Sequence, residues 1–224
     1  MPKPTLQNIA PDKRERVVRE AARLFAERGY EAADMAALAE RCGIAKGSLY
    51  NYFTSKDELY RYVCEDGLQR SRAAVWGDVD PSWDLFRVLE HTVRAGVEFA
   101  REHPELVRLY LSVGTVGLEE TVGELSAKVE GPTAERLRAL LRDAAAQGII
   151  RAEVDVPLAA WQINNAYVML LSALVSDHFK VRLREYLEIE GRLTHARIAE
   201  LCERTLAELR ASLALSSPQP RRSP

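Results

Sequence analysis

Apolar positions along this chain recur at spacings of three and four almost throughout, the period of helices with one buried face. Val17, Ala21, Leu24 and Phe25 form one such stripe, with Arg16, Arg19 and Arg23 on another face, and Gly29 marks its end. Asp34 to Phe53 reads as two short helices broken at Gly43. Asp34 is placed to cap the first of them, Met35, Leu38 and Ala39 give its inner side, and Ile44 follows the glycine as an apolar plug. In the second, starting near Lys46, Leu49 and Phe53 lie four apart and face inward. Ser55-x-x-Glu58 is a capping box, and it opens a helix that continues through Leu59, Tyr62 and Val63.

Further helices are expected over about Trp83 to Glu102, Pro104 to Val113, Glu119 to Gln147 with a break at Gly131-Pro132, Pro157 to Tyr186, and Leu193 to Leu213. Pro104 and Pro157 suit first helical positions, and Gly148 suits a stop. Strand signals are nearly absent. The fold class is therefore all-α: an N-terminal three-helix helix-turn-helix domain over 12–62 and a C-terminal helical bundle over 63–215, with flexible tails expected at 1–11 and 216–224.

The outer face of the second short helix carries Lys46, Gly47, Ser48, Tyr50 and Asn51, a set of donors, a cation and an aromatic ring that suits the DNA major groove. Lys46 is placed to donate to guanine, Ser48 serves either base type, and Gly47 lets the backbone come near a phosphate. Here the chain resembles the TetR family of bacterial transcriptional regulators. Leu24-Phe25, Gly29-Tyr30, Leu38-Ala39, Gly43-Ile44, the run Lys46 to Phe53 and Ser55 to Leu59 stand in that family's order and spacing. The resemblance covers about the first quarter of the chain. It implies base or phosphate contact at Tyr50 and phosphate contacts at Tyr52 and Lys56. The chain departs from the family's hydroxyl residues at Ala33, Asp34 and Ala45, positions where the family contacts phosphates.

The rest of the chain matches only in being helical, and the resemblance implies a regulatory and dimerisation role for it. A helix-turn-helix reads few base pairs alone, so double-stranded operators are addressed by symmetric dimers. Ile163, Tyr167, Leu170, Leu171, Leu174 and Val175, with Leu201, Leu206 and Leu209, are the candidate dimer interface, because a helix apolar on nearly all sides needs much covering. Trp83, Phe86, His91, Phe99, Tyr110, Trp161 and Asn165 are candidate lining for a pocket holding a small apolar or amphipathic effector.

Composition narrows this reading slightly. At 224 residues and 47% hydrophobic the chain can bury a full core. Residues 1–63 carry 11 Lys+Arg against 9 Asp+Glu and the remainder 20 against 24, a mildly basic head on an acidic body. Three cysteines without Cys-x-x-Cys spacing indicate neither a disulfide framework nor a zinc site, and leave a thiol redox sensor as a minor alternative. The longest apolar run, Ala166 to Val175, is half a membrane span, so a cytoplasmic protein with no membrane partner is expected. No phosphate loop, metal-ligand spacing or nucleophile–base pair is visible, so no enzyme, cofactor or metal is expected. The expected function is a homodimeric repressor that binds a palindromic operator and is released by an effector. The alternatives are an effector-independent DNA-binding protein controlled by a protein partner and, further off, a helical enzyme.

Overall fold

The computed structural model describes residues 6, 9–113 and 119–214. Among these are ten helices and no strand. The head comprises α1 (Pro11–Ala32), α2 (Met35–Cys42) and α3 (Lys46–Tyr52). The linking helix α4 (Lys56–Trp76) runs on into the body, which adds α5 (Leu85–Glu102), α6 (Pro104–Ser112), α7 (Glu119–Ala146), α8 (Val156–Val175), α9 (Asp177–Tyr186) and α10 (His195–Leu213).

Local chemistry sets most boundaries. Pro11 stands in the first turn of α1, and Gly29, at a φ of 73°, kinks its last turn. Asp34 caps α2 by accepting from the Ala37 N–H, and Gly43 ends it in the left-handed region. The Gly43 N–H then donates to Glu40 and the Ile44 N–H to Ala39, the paired bonds of a glycine-ended helix. Ser55 accepts from the Glu58 N–H at 3.1 Å. Glu58 reaches back one residue further than a standard capping box, accepting from the Thr54 N–H at 2.6 Å and the Thr54 hydroxyl at 2.8 Å.

Two expectations are corrected. α7 passes through Gly131-Pro132 without breaking. Pro132 has no N–H to give the Lys128 carbonyl one turn back, and the Arg72 guanidinium of α4 donates to that carbonyl instead. The single helix expected to Tyr186 is two, divided at Ser176, whose extended backbone starts α9 in a new direction. The boundary drawn at residue 62 lies within α4, the helix expected to run on through Tyr62 and Val63. Of the expected tails, 216–224 and most of 1–11 lie outside the described residues. Leu6, however, is only 1% exposed and belongs to the core.

That core ignores the division into head and body. One apolar cluster joins Val17, Leu24, Phe25, Leu38, Leu49, Phe53, Leu59 and Tyr60 to Leu106, Val107 and Leu109 of α6 and to Leu171 and Val175 of α8. α1 packs against α6 more extensively than any other two helices pack. A second cluster joins α5, α7 and α8, and a third is centred on Val93, Leu170 and Leu201. α8 is long and apolar enough to cross a membrane by length and composition alone, but here it packs against α5, α6, α7, α9 and α10.

Two close fits give tests. A Cβ on Gly96 would stand 2.3 Å from the Tyr167 hydroxyl and 2.5 Å from a ring carbon. Gly96→Ala is therefore expected to destabilise the fold by about 1–3 kcal/mol, as overpacking does. In denaturant titrations, the double variant with Tyr167→Ala should cost clearly less than the two single changes added together. Arg70 of α4 holds Glu15 of α1 at 2.6 Å, and that hydrogen bond keeps the Glu15 carboxyl below its ordinary pKa despite partial burial. A carboxyl lowered in the folded state adds stability above its ordinary value and loses it as pH falls through the lowered one. Unfolding free energies measured from about pH 7 to pH 3, spanning the carboxylate range, should fall less steeply in Glu15→Gln than in the wild type.

Candidate nucleic-acid interface and body cavity

The turn between α2 and α3 points the outer face of α3 away from the core. Leu49 is fully buried, while Lys46, Gly47, Tyr50 and Asn51 are exposed and Ser48 half-buried. Tyr50 is 41% exposed on this outer face. α3 begins at Ala45 without a side-chain cap. Asp34 keeps its carboxyl below the ordinary range, chiefly through backbone N–H groups of its own helix, with the Lys46 cation adding to the effect. Its carboxylate thus serves α2 directly.

Two of the DNA candidates stand differently from the rest. Tyr52 is buried, 7% exposed, with the Lys13 ammonium 6.0 Å from its ring centre, so its ring belongs to the packing of the head. Lys56 turns its ammonium inward: it donates to the Tyr30 carbonyl at 2.9 Å and the Glu31 carbonyl at 3.1 Å, and lies 4.4 Å from the Tyr30 ring centre. A cation at the carbonyl end of α1 is favourable in itself. Tyr30, Tyr60 and Phe25 extend this cluster, with Tyr60 edge-on to both neighbours at 5.2 and 5.0 Å. Arg41 ties α2 to α1 through Glu27 at 2.6 Å.

The body encloses a cavity of about 170 Å³ between α4, α5, α6, α7, α8 and α10. Phe99 and Tyr110 line it as expected; Trp83, Phe86, His91, Trp161 and Asn165 do not. Trp83 instead packs edge-on against His91 under the Arg87 guanidinium, and Phe86 lies beneath Arg210. Trp161 is 63% exposed. The wall holds residues absent from that expectation, notably Trp76, Glu130 and Asn164. The periodicity contains the signal for Asn164. Ala160, Ile163, Asn164, Tyr167 and Leu171 form one stripe at helical spacing, whereas Trp161, Asn165 and Met169 form the opposite one.

The dimer candidates are likewise placed inside their own protomer. Ile163, Leu170, Leu171, Val175 and Leu201 are buried, Tyr167, Leu174, Leu206 and Leu209 are half-buried against the same cores, and Ile163, Tyr167, Leu171 and Leu209 line the cavity. The apolar side chains of α8 left exposed are Leu158, Trp161 and Met169, a separate face. The three thiols are all raised by burial, Cys64 to about 12, which makes them poor nucleophiles and disfavours a redox sensor.

A three-helix head with a polar, outward third helix, joined to a cavity-bearing helical body, is a helix-turn-helix architecture. Residues 17–63 match the model of bacterial regulatory proteins, tetR family. The head is thus a TetR-family helix-turn-helix domain. It is 26% identical to an uncharacterised HTH-type regulator of Bacillus subtilis, YerO, over 71% of this chain and 56% of that protein, so it spans little more than half of that relative. A TetR-family regulator from Chloroflexus aurantiacus superposes with a TM-score of 0.74 at 23% identity, covering 96% of this chain and all of the other. AibR, solved in complex with isovaleryl coenzyme A and operator DNA, superposes at 0.67 with 21% identity over 88% of this chain and 97% of its own. These two likenesses concern the fold.

The geometry separates two lysines that the sequence groups together. Lys46→Ala should weaken binding to duplex DNA, reduce the steepness of its salt dependence by about one phosphate contact, and leave the melting temperature unchanged. Lys56→Ala should lower the melting temperature of the DNA-free protein. If circular dichroism showed Lys56→Ala melting like the wild type, the α1–α4 latch would have no structural weight.

Proposed function

We propose that the chain acts as a homodimeric repressor whose two heads, through Lys46, Ser48 and Tyr50, read the half-sites of a palindromic operator, and that a small, largely apolar molecule in the body cavity releases it. Repression then follows from occupancy of a promoter, with no chemistry at the site. The observation that carries this reading is that Leu106, Val107 and Leu109 belong to two structures at once. They line the cavity, and they pack the core shared with α1. A molecule pressing on that wall must repack the seat of the head, because close-packed interiors do not yield gradually. That a structure of similar fold, AibR, carries both an acyl thioester and operator DNA supports the pairing of the two functions.

The exposed apolar face of α8 supports dimerisation. Leu158, Trp161 and Met169 recur at turns of one helix, and large exposed apolar side chains grouped in this way mark contact surfaces. Trp161 is the anchor by size and exposure, whereas Leu174 is half-buried in its own protomer, so changing it would test folding first. Trp161→Arg is expected to shift sedimentation from dimer to monomer with the helical content retained. It should also weaken operator binding at least tenfold, about 1.4 kcal/mol. An unchanged dimer would move the interface off this face. The operator itself is found by sequencing duplexes retained from a random library. Two inverted half-sites separated by about one helical turn or a multiple are expected, and enrichment of a single unpaired half-site would count against the symmetric reading.

A further inference from the structure

The cavity wall is apolar except at a few points, and its charge is unevenly committed. Of the groups with formal charge that line it, Arg72 donates to the Lys128 carbonyl freed by Pro132. The other is Glu130, in the same turn of α7 as Pro132 and on the same wall. Its Oε1 accepts from the Tyr110 hydroxyl at 2.7 Å and its Oε2 from the Asn164 side-chain amide at 3.4 Å. Both donors are neutral. Among the described residues no Lys, Arg or His pairs with Glu130, although Lys128, two residues before it, pairs with Glu65 on the outside at 2.7 Å. A half-buried carboxylate left with neutral donors alone keeps its charge available for a ligand.

From this arrangement we infer that the cavity selects ligands carrying a protonated amine on an apolar body, with the ammonium hydrogen-bonded to Glu130. The inference rests on the cavity being the effector site. A charge-assisted hydrogen bond is about twice as strong as a neutral one, and the carboxylate has lone pairs beyond the two already in use. The rings of Tyr110, Tyr167, Phe99 and Trp76 stand in the same wall and give apolar surface to the ligand's body. The Tyr110 hydroxyl is raised in pKa by burial and then by Glu130 itself, so it remains a donor to the carboxylate with or without ligand. An anionic ligand would meet Glu130 as a like charge and would leave Arg72 as its only ionic partner.

Three probes that share one skeleton isolate the charge: 3-phenylpropylamine, 3-phenylpropanol and 3-phenylpropanoate, titrated by calorimetry into the full-length protein. The amine is expected to bind tightest and the carboxylate weakest. Glu130→Gln should cost the amine about 10- to 100-fold in affinity, the range of a hydrogen bond to a charged group, and leave the alcohol nearly unchanged. Tyr110→Phe, which keeps the carboxylate, should preserve the order of the three, so the test survives if Glu130→Gln does not fold. Equal binding of amine and alcohol, or preference for the carboxylate that Arg72→Met removes, overturns the amine inference and leaves the cavity as an effector site. Failure of all three to bind overturns the effector reading and the inference together.

Discussion

Everything in this molecule depends on the packing of α1 against α6. The head of a helix-turn-helix protein is small, and three helices of 22, 8 and 7 residues bury little between them. Small units are marginal for that reason. The head here is completed from outside, by Leu106, Val107 and Leu109 on one side and by Leu59, Tyr60 and Val63 of α4 on the other. Its stability and its orientation are consequently the same property. Whatever shifts α6 alters the support of the recognition helix before it alters any residue that faces DNA.

α4 is the second half of that arrangement. Its first turns put Leu59, Tyr60 and Val63 into the head core, and its later turns put Cys64, Gly67, Leu68, Ser71 and Val75 on the cavity wall. A Cβ at Gly67 would lie 3.1 Å from Leu106, so α4 and α6 touch closely at that point. The ion pairs joining α4 to α7, Arg61 with Glu124 and Lys128 with Glu65, are largely exposed. Pairs of that kind contribute about 0–1 kcal/mol each and weaken with salt. Packing, rather than charge, therefore couples cavity to head.

The head was legible in the sequence because its signals are local. A cap at Asp34, a left-handed glycine at 43, and a stripe of inward residues each report on a single turn of chain. The body was legible as helices but not as surfaces. Distinguishing the inner from the outer stripe of α8 requires knowing what it packs against, and Asn164 and Asn165 differ only by a rotation of about 100°. The dimer candidates show the same difficulty, since much of the most regular apolar stripe is covered from within the protomer. Pro132 misled in a different way. It does remove a helical hydrogen bond, but the sequence does not show that Arg72, sixty residues earlier, replaces the missing donor. Lys56 belongs with these cases, for nothing near it in sequence indicates that its ammonium closes the end of α1.

Two roles meet in the Pro132 turn. A proline inside a helix costs about 3 kcal/mol or more when the freed carbonyl finds no partner. Here the carbonyl is bound by a side chain of the linking helix, so that cost depends on where α4 stands. Glu130 lies within the same turn and faces the cavity with Tyr110 of α6 and Asn164 of α8 bound to it. A ligand that takes hold of Glu130 adds to those two bonds, and it does so in the turn where Pro132 leaves α7 without a backbone donor. The turn of α7 least able to hold its shape alone is thus the turn that joins the cavity to α4, and through α4 to the head.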